Sequence, residues 1–318
     1  MPSLRTVTAR AGVNIALVKY WGKRDTNENL PAVGSISMTL RDLFTQTSIS
    51  VSEDESDHFE LNGKSTSDQR VFTILDQIRQ RANVTEKVRI KSENFVPTAS
   101  GLASSASGSA ALVTGAWKFF TGQDDWHPVL DLVRKASGSA PRSLLGGLVE
   151  LHKESGKLTQ LSTPEAWPLT MVVAQLSEHK KTTSSRRGMA HTKATSSYYD
   201  AWVNAHPADL QDARHAISKR DIEALGTTME RSTMRMHACM LAASPPLLYW
   251  NSKTIAIWHL MKELRANGTG AWCTMDAGPH VKVLCLPDDA PVVHQAIENT
   301  MLSYRTTIDA MGAGVCLR

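Results

Sequence analysis

The sequence predicts an α+β fold organised as two domains, and three features carry that prediction. Strand patterns are interspersed with helical ones, without the strict βαβα rhythm of a doubly wound sheet. The length of 318 residues suggests about two domains, or one large one. A polar, basic stretch over residues 178–188 reads as a loop and a boundary, dividing the chain into 1–180 and 181–318.

The elements follow in order. The run from Asn14 to Lys23 contains an apolar, strand-like stretch. Thr47, Ile49 and Val51 alternate with Ser48 and Ser50, as in a half-buried strand. His58-Phe59-Glu60-Leu61 runs into Asn62-Gly63, a hairpin turn signal. Val71, Ile74, Leu75 and Ile78 recur at helical spacing, with caps offered by residues 65–67. Val88 and Ile90 mark another strand. Ala110, Ala111, Leu112, Val113, Ala116 and Trp117 mark a long helix, and a second begins near Pro128. Residues 169–174 read as a short buried strand, followed by helices over about 208–224 and 254–264. Strands over 271–275 and 281–286 flank Asp276-Ala277-Gly278-Pro279, and a closing helix covers about 292–302.

Composition narrows the function classes. A hydrophobic fraction of 42% with 21% charged residues is ordinary for a soluble globular protein. A net charge of +4, with acids and bases mixed, does not suggest nucleic-acid binding, but it suits Lys and Arg clusters around a small anion. The four cysteines form no Cys-x-x-Cys pair and lack accompanying histidines, which fits reduced thiols in a cytosolic protein. No apolar run is long enough to span a membrane, and residues 1–7 lack a hydrophobic signal core. The expectation is a cytoplasmic enzyme.

Five segments could carry chemistry. Pro97-Thr98-Ala99-Ser100-Gly101-Leu102-Ala103-Ser104-Ser105-Ala106-Ser107-Gly108 is rich in small and hydroxylated residues and leads straight into the long helix. Small residues let backbone approach a ligand, and free amides at a helix start attract phosphate. No Gly-Lys-Ser/Thr follows, so this is not a Walker loop, and the glycine spacing is not that of a dinucleotide fingerprint. A Ser/Ala-rich turn capping a buried helix is the alternative. Ser104 or Ser105 could reach a phosphate-bound Mg²⁺. Asn14, Lys19, Tyr20 and Lys23 cluster on the first apolar run, where they suit an anion or a lysine-protected edge strand. Arg142 stands among Ser137, Ser139 and Ser143, able to grip a carboxylate or simply to end a helix. Lys180, Lys181, Arg186 and Arg187 with four hydroxylated residues form a diphosphate clamp or a basic loop. Asp276 leaves an apolar strand into a Gly-Pro turn, where it could meet a substrate hydroxyl or serve only the turn; His280 beside it reads as structural.

Together and in this order, the segments resemble the diphosphomevalonate decarboxylases of the GHMP kinase superfamily. Asn14-Ile15-Ala16 with Lys19-Tyr20-Trp21-Gly22-Lys23-Arg24 is similar to that family's opening motif, and Pro97 to Gly108 to its phosphate loop. Ser137-Gly138-Ser139-Ala140 with Arg142-Ser143, Ser184-Ser185 with Gly188-Met189, and Asp276-Ala277-Gly278-Pro279 complete the set. The resemblance implies a ribosomal S5 domain 2-like N-terminal domain, a ferredoxin-like C-terminal α/β sandwich and an active site in the cleft between them. It implies Mg-ATP-dependent phosphorylation of the 3-hydroxyl of a phosphorylated mevalonate, then loss of phosphate and CO₂ to give an isoprenoid unit. Asp276, Lys19 and Arg142 would be catalytic. Asn14, Tyr20, Lys23, Ser137, Ser139, Ser185 and Arg186 would bind substrate. Pro97, Ser100, Gly101, Leu102, Ala103, Ser104, Ser105 and Ser107 would bind ATP, with Ser105 near Mg²⁺. A homodimer is the family expectation.

The chain departs from the family pattern at Val33-Gly34, where Asn-Ser is usual, at Pro141 for Cys, at His280 for Asn, and at the added Arg187. These leave the substrate open between mevalonate 5-diphosphate, the 5-phosphate and a related acid. A kinase that stops at phosphorylation would be expected to lack the Asp and Lys pair, and a non-catalytic sensor to lack the Asp or the loop. Lys19 and Asp276 favour decarboxylation.

Overall fold

The computed structural model describes residues 5–96, 104–177 and 183–318. The chain adopts an α+β fold around two larger sheets. β1 (Thr6–Val18) is followed by the small hairpin β2 (Lys23–Asp25) and β3 (Leu30–Pro31), then by the long β4 (Ser35–Val51). β1 and β4 pair antiparallel, with register shifts near Gly12 and Ala16. From Leu43 onward β4 alternates buried and half-buried residues, the pattern legible at 47–51. Its first six residues are all buried, because both of their faces are covered.

β5 (His58–Leu61) and β6 (Lys64–Ser65) form the hairpin signalled by Asn62-Gly63. Both turn residues have positive φ, 50° and 75°, which Asn and Gly tolerate. α1 (Gln69–Ala82) is capped by Asp68, whose side chain accepts from the Arg70 amide, and not by a residue of 65–67. β7 (Val88–Phe95), α2 (Ser104–Thr121), α3 (Leu130–Ala136), β8 (Leu148–Leu151) and β9 (Leu158–Ser162) complete the first unit. Its sheet runs β14-β1-β4-β7-β5-β6, where β14 (Cys316–Leu317) returns from the chain's end, and β8 extends the first half of β4. α1, α2 and α3 cover one face, packing Ala106, Ala110 and Val113 on Ala9, Ala11 and Ile49. Small residues bring α2 close, since a Cβ at Gly115 would lie 3.1 Å from that of Ala9.

The second unit holds β10 (Thr170–Gln175), α4 (Ser185–Thr195), α5 (Tyr199–Lys219), α6 (Ile222–Leu241), α7 (Ser252–Ala266), β11 (Trp272–Met275), β12 (Val281–Cys285), α8 (Ala290–Asn299) and β13 (Arg305–Ala310). Its antiparallel sheet runs β11-β12-β10-β13. β10 precedes residue 180, yet by hydrogen bonding it belongs to this second sheet. α7 and α8 cover one face through Ile257, Met261, Val293 and Ile297. The other face sends Met171, Val173 and Leu284 into a cluster shared with Val13, Ile15 and Leu17 of β1. The two sheets are thus joined by a common core.

Three more expectations change. The helix placed at 208–224 is the end of α5 and the start of α6, separated where Arg220 takes a left-handed φ of 54° and Asp221 caps α6 by accepting from the Ala224 amide. The closing helix ends at Asn299, before a positive φ at Met301 and strand β13. Within the basic stretch, residues from Ser185 onward are helical, because Ser184 accepts from the Arg187 amide as an N-cap.

Candidate active site

β1 ends at Val18, and the next residue carries the site's first charge. The Lys19 backbone amide donates to Ser232 Oγ of α6 at 3.0 Å, which fixes the residue where the first unit meets the second. Its side chain is 1% exposed, and Nζ donates to Asp276 Oδ1 at 2.7 Å. Asp276 follows the last residue of β11 in a tight turn closed by the Gly278 amide on the Asp276 carbonyl at 2.7 Å. Two residues far apart in sequence are thereby brought together by the meeting of the two sheets.

Asp276 has a second cationic partner. Lys282 Nζ, from buried strand β12, donates to Asp276 Oδ2 at 3.0 Å. Burial pushes the Asp276 carboxyl up, but Lys19 and Lys282 outweigh it and hold the group well below the ordinary carboxylate range. Burial pulls the Lys19 ammonium down to about 8, against the attraction of Asp276. The Asp276 side chain keeps 32% exposure, so a substrate hydroxyl can reach it.

Arg142 lies in a 3₁₀ turn, Ala140–Ser143, started by Pro141 near its N-terminus. It is 3% exposed. Its Nε and Nη2 donate to Asn14 Oδ1 at 3.2 and 3.0 Å, and its Nη1 donates to Ser35 Oγ. Asn14 is itself held, its Nδ2 donating to the Ser139 carbonyl at 3.1 Å and Ser143 Oγ at 2.8 Å. Asn14 therefore spends its side chain on orienting Arg142. No ion pair among the described residues includes Arg142; burial lowers its guanidinium to about 10, against the pull first of Tyr20 and then of Asp276. A buried guanidinium with neutral partners and spare donors is a site for an anion.

A second cluster of polar and cationic groups adjoins the first. The Tyr20 ring lies 5.7 Å below the Arg142 guanidinium, and its hydroxyl is buried with no hydrogen-bond partner among the described residues. Burial pushes that phenol up to about 12, so it remains a donor. Its hydroxyl abuts Gly138, leaving no room for a side chain there. Ser137 and Ser139 flank Gly138, their hydroxyls 3.5 Å apart. Lys23 Nζ donates to Asn29 Oδ1, and its ammonium is lowered by burial and then by Arg186, which places Arg186 in its neighbourhood. Arg186 and Ser185 stand in the first turn of α4, where helix amides favour anions. Gly188 lets α4 approach: a Cβ there would lie 2.7 Å from the Tyr249 hydroxyl and 3.1 Å from the Trp21 ring.

Pro97, Ser100, Gly101, Leu102 and Ala103 lie outside the described residues, as do Lys180, Lys181 and the side chain of Ser104. On either side of the loop, Val96 belongs to the same buried cluster as Val18, and α2 begins at Ser104. Ser105 is exposed in the first turn of α2. Ser107 is buried, its hydroxyl 2.8 Å from Thr45 Oγ1. Among the described residues there is no cluster of three or more His, Cys, Asp or Glu that could hold a metal ion.

Most departures from the family pattern are built into the packing. The Gly34 carbonyl accepts from His206 Nε2 at 2.8 Å, and Leu210 fills the space a side chain would need. Val33 is buried beside Trp21 and Trp202. Arg187 is exposed. His280 Nδ1 accepts from the Leu176 amide at 3.1 Å, a structural bond. Lys282 has only a weak signal in the sequence, a lysine inside the otherwise apolar Val281-Lys282-Val283-Leu284-Cys285, six residues after Asp276.

The chain is similar to known proteins over nearly all of its length. Residues 11–162 match the family model of the diphosphomevalonate decarboxylase-like N-terminal domain, and residues 171–313 match that of the mevalonate 5-diphosphate decarboxylase C-terminal domain. A diphosphomevalonate decarboxylase of Debaryomyces hansenii is 36% identical over 305 residues, covering 87% of this chain and 79% of that protein. That of Schizosaccharomyces pombe is 35% identical over 316 residues, covering 90% and 80%. Among solved structures, mevalonate diphosphate decarboxylase from Staphylococcus aureus superposes with a TM-score of 0.92 at 33% identity, covering 99% of this chain and 98% of that one. MDDEF in complex with MVAPP, AMPPCP and magnesium superposes with a TM-score of 0.91 at 34% identity, covering 99% of both chains. The two family matches together span most of the sequence, and the chain belongs to the diphosphomevalonate decarboxylase family.

Proposed function

We propose that this chain converts mevalonate 5-diphosphate to isopentenyl diphosphate, consuming ATP and releasing ADP, phosphate and CO₂. The observation that carries the reading is the Lys19–Asp276 ion pair standing near a buried Arg142 that has no acidic partner among the described residues. Family membership and a solved relative bound to MVAPP, AMPPCP and magnesium support it.

The substrate's carboxylate sits on the free N–H groups of Arg142, and Asn14 and Ser35 keep that guanidinium from turning. The diphosphate tail is taken by Tyr20, Lys23, Ser137, Ser139, Ser185 and Arg186. These anchors place the tertiary 3-hydroxyl against Asp276. A tertiary alcohol is a hindered nucleophile, so positioning and charge stabilisation supply most of the rate. Asp276 accepts the hydroxyl hydrogen bond and takes or relays its proton as the oxygen attacks the γ-phosphorus of ATP and the bond to the β-phosphate oxygen breaks. Lys19 keeps Asp276 ionised and faces the charge of the arriving phosphoryl group. The C3–O bond then breaks, phosphate leaves with its electron pair, and the C1–C2 bond electrons form the C2–C3 double bond as CO₂ departs. Residues 97–105 would hold the nucleotide at the start of α2, and the Ser105 hydroxyl would help hold Mg²⁺. When bound, that ion neutralises phosphate charge.

We place the enzyme in the cytoplasm as a homodimer, on family resemblance; sedimentation and cell fractionation test those two points. The substrate assignment is tested by steady-state kinetics with Mg-ATP and, separately, mevalonate 5-diphosphate, mevalonate 5-phosphate and mevalonate. The expected result is the highest kcat/KM for the diphosphate. A preference for the monophosphate would move the assignment one phosphate earlier.

A further inference from the structure

Asp276 is held from two sides. Lys19 arrives from the end of β1 and binds Oδ1; Lys282 arrives from β12 and binds Oδ2. Lys282 Cα is paired with Thr274 of β11 and Val173 of β10, so its side chain rises from the middle of a three-strand segment, not from an edge. It is 1% exposed, and Asp276 is its one ion-pair partner among the described residues. A lysine in the interior of a sheet is costly unless its ammonium is paired. Edge protection, the usual reason for a lysine in a short strand, does not apply here.

Resting on the decarboxylase reading of this site, we propose that Lys282 is a positioning residue for the reaction: it anchors one oxygen of Asp276 and leaves the other oxygen, with Lys19, to the reacting hydroxyl. The anchor matters because the turn after Met275 is short and Asp276 is partly exposed. Held by Lys19 alone, the carboxylate could rotate about its side-chain bonds and lose the hydroxyl. The charge count also matters. The groups facing Asp276 are Lys19 from β1, Lys282 from β12, Arg142 from the 3₁₀ turn and His237 from α6. His237 is kept neutral, its imidazolium form disfavoured by burial and then by Lys19, which lower its pKa to about 3. Its Nε2 accepts from Trp250 Nε1 at 3.2 Å. Three cations therefore face one carboxylate, leaving an excess positive charge that receives the substrate carboxylate and the transferred phosphoryl group. Lys282 supplies part of that excess without itself reaching the ligand.

The test compares Lys282→Gln, Lys282→Met and Lys282→Arg with the wild type in ADP release from mevalonate 5-diphosphate. The neutral variants should lower kcat by about 10²-fold while the KM for ATP changes by less than about threefold, as expected for a lost preorganised electrostatic contact. The acid limb of their kcat/KM profile should move up, because Asp276 has lost one of its two cations. Lys282→Arg should recover at least about a tenth of the wild-type kcat, since a cation returns to the same place. A well-folded Lys282→Gln protein with wild-type kcat and an unmoved acid limb would overturn the proposal. Equal losses in all three variants, without movement of the limb, would reduce Lys282 to a packing residue and overturn it as well. If the wild type does not turn over mevalonate 5-diphosphate, the decarboxylase reading fails. The positioning claim then still stands or falls on the Asp276 carboxyl titration by ¹³C NMR, which must move upward in Lys282→Gln.

Discussion

Arg142→Met removes the guanidinium while keeping a side chain of similar length. The wild-type guanidinium has five N–H donors, and three of them bond to Asn14 and Ser35. Two remain for a ligand. A hydrogen bond to a charged group contributes about 1.5–3 kcal/mol, so two of them contribute about 3–6 kcal/mol. At about 1.4 kcal/mol per factor of ten, kcat/KM for mevalonate 5-diphosphate should fall by about 10²–10⁴. The substitution also frees Asn14 Oδ1 and Ser35 Oγ but eliminates a buried cation, and these effects oppose each other in stability. The assay is initial-rate ADP release at varied substrate and saturating ATP, with binding of a non-hydrolysable ATP analogue as the folding control. A kcat/KM within about threefold of wild type, with the protein folded, would refute the assignment of the substrate carboxylate to Arg142.

Three further predictions come from the same geometry. Asp276→Ala should lower kcat by at least about 10³-fold while the ATP analogue still binds, measured by calorimetry; turnover near the wild-type rate would remove Asp276 from the reaction. Activity should fall as pH rises through about 8, because the Lys19 ammonium that the site needs is pulled down to about that value by burial and becomes the neutral amine above it. In Lys19→Arg that basic limb should move out to higher pH, since arginine stays charged, and an unmoved limb would assign it to another group. Gly22→Ala should destabilise the fold by about 2–5 kcal/mol, because Gly22 has a φ of 92° and a Cβ would strike the Tyr199 hydroxyl. Thermal denaturation reads that loss, and an unchanged melting temperature would contradict it.

Much of the fold could be read from local pattern. The Asn62-Gly63 hairpin, the α1 periodicity and the β11–β12 pair around Asp276 all depend on contacts between near neighbours. What was hidden depended on layers. The first six residues of β4 show no alternation, because both their faces are covered. The break between α5 and α6 turns on one non-glycine residue in a left-handed conformation, Arg220, which sequence does not mark. The site divides the same way. Lys19, Arg142 and Asp276 sit in short motifs with unusual composition, and the structure places Lys19 and Asp276 in direct contact. The motif makes Asn14 a substrate ligand, yet its side chain is consumed by Arg142, Ser139 and Ser143. Lys282 was invisible, since only the antiparallel pairing of β11 with β12 turns a lysine six residues downstream back toward Asp276.

The most direct measurement uses mevalonate 5-diphosphate labelled at C1, incubated with Mg-ATP and the wild-type protein, with ADP and labelled CO₂ counted in the same reaction. Phosphorylation coupled to decarboxylation predicts one CO₂ for each ADP. ADP accumulating without CO₂ would contradict it and make this protein a kinase.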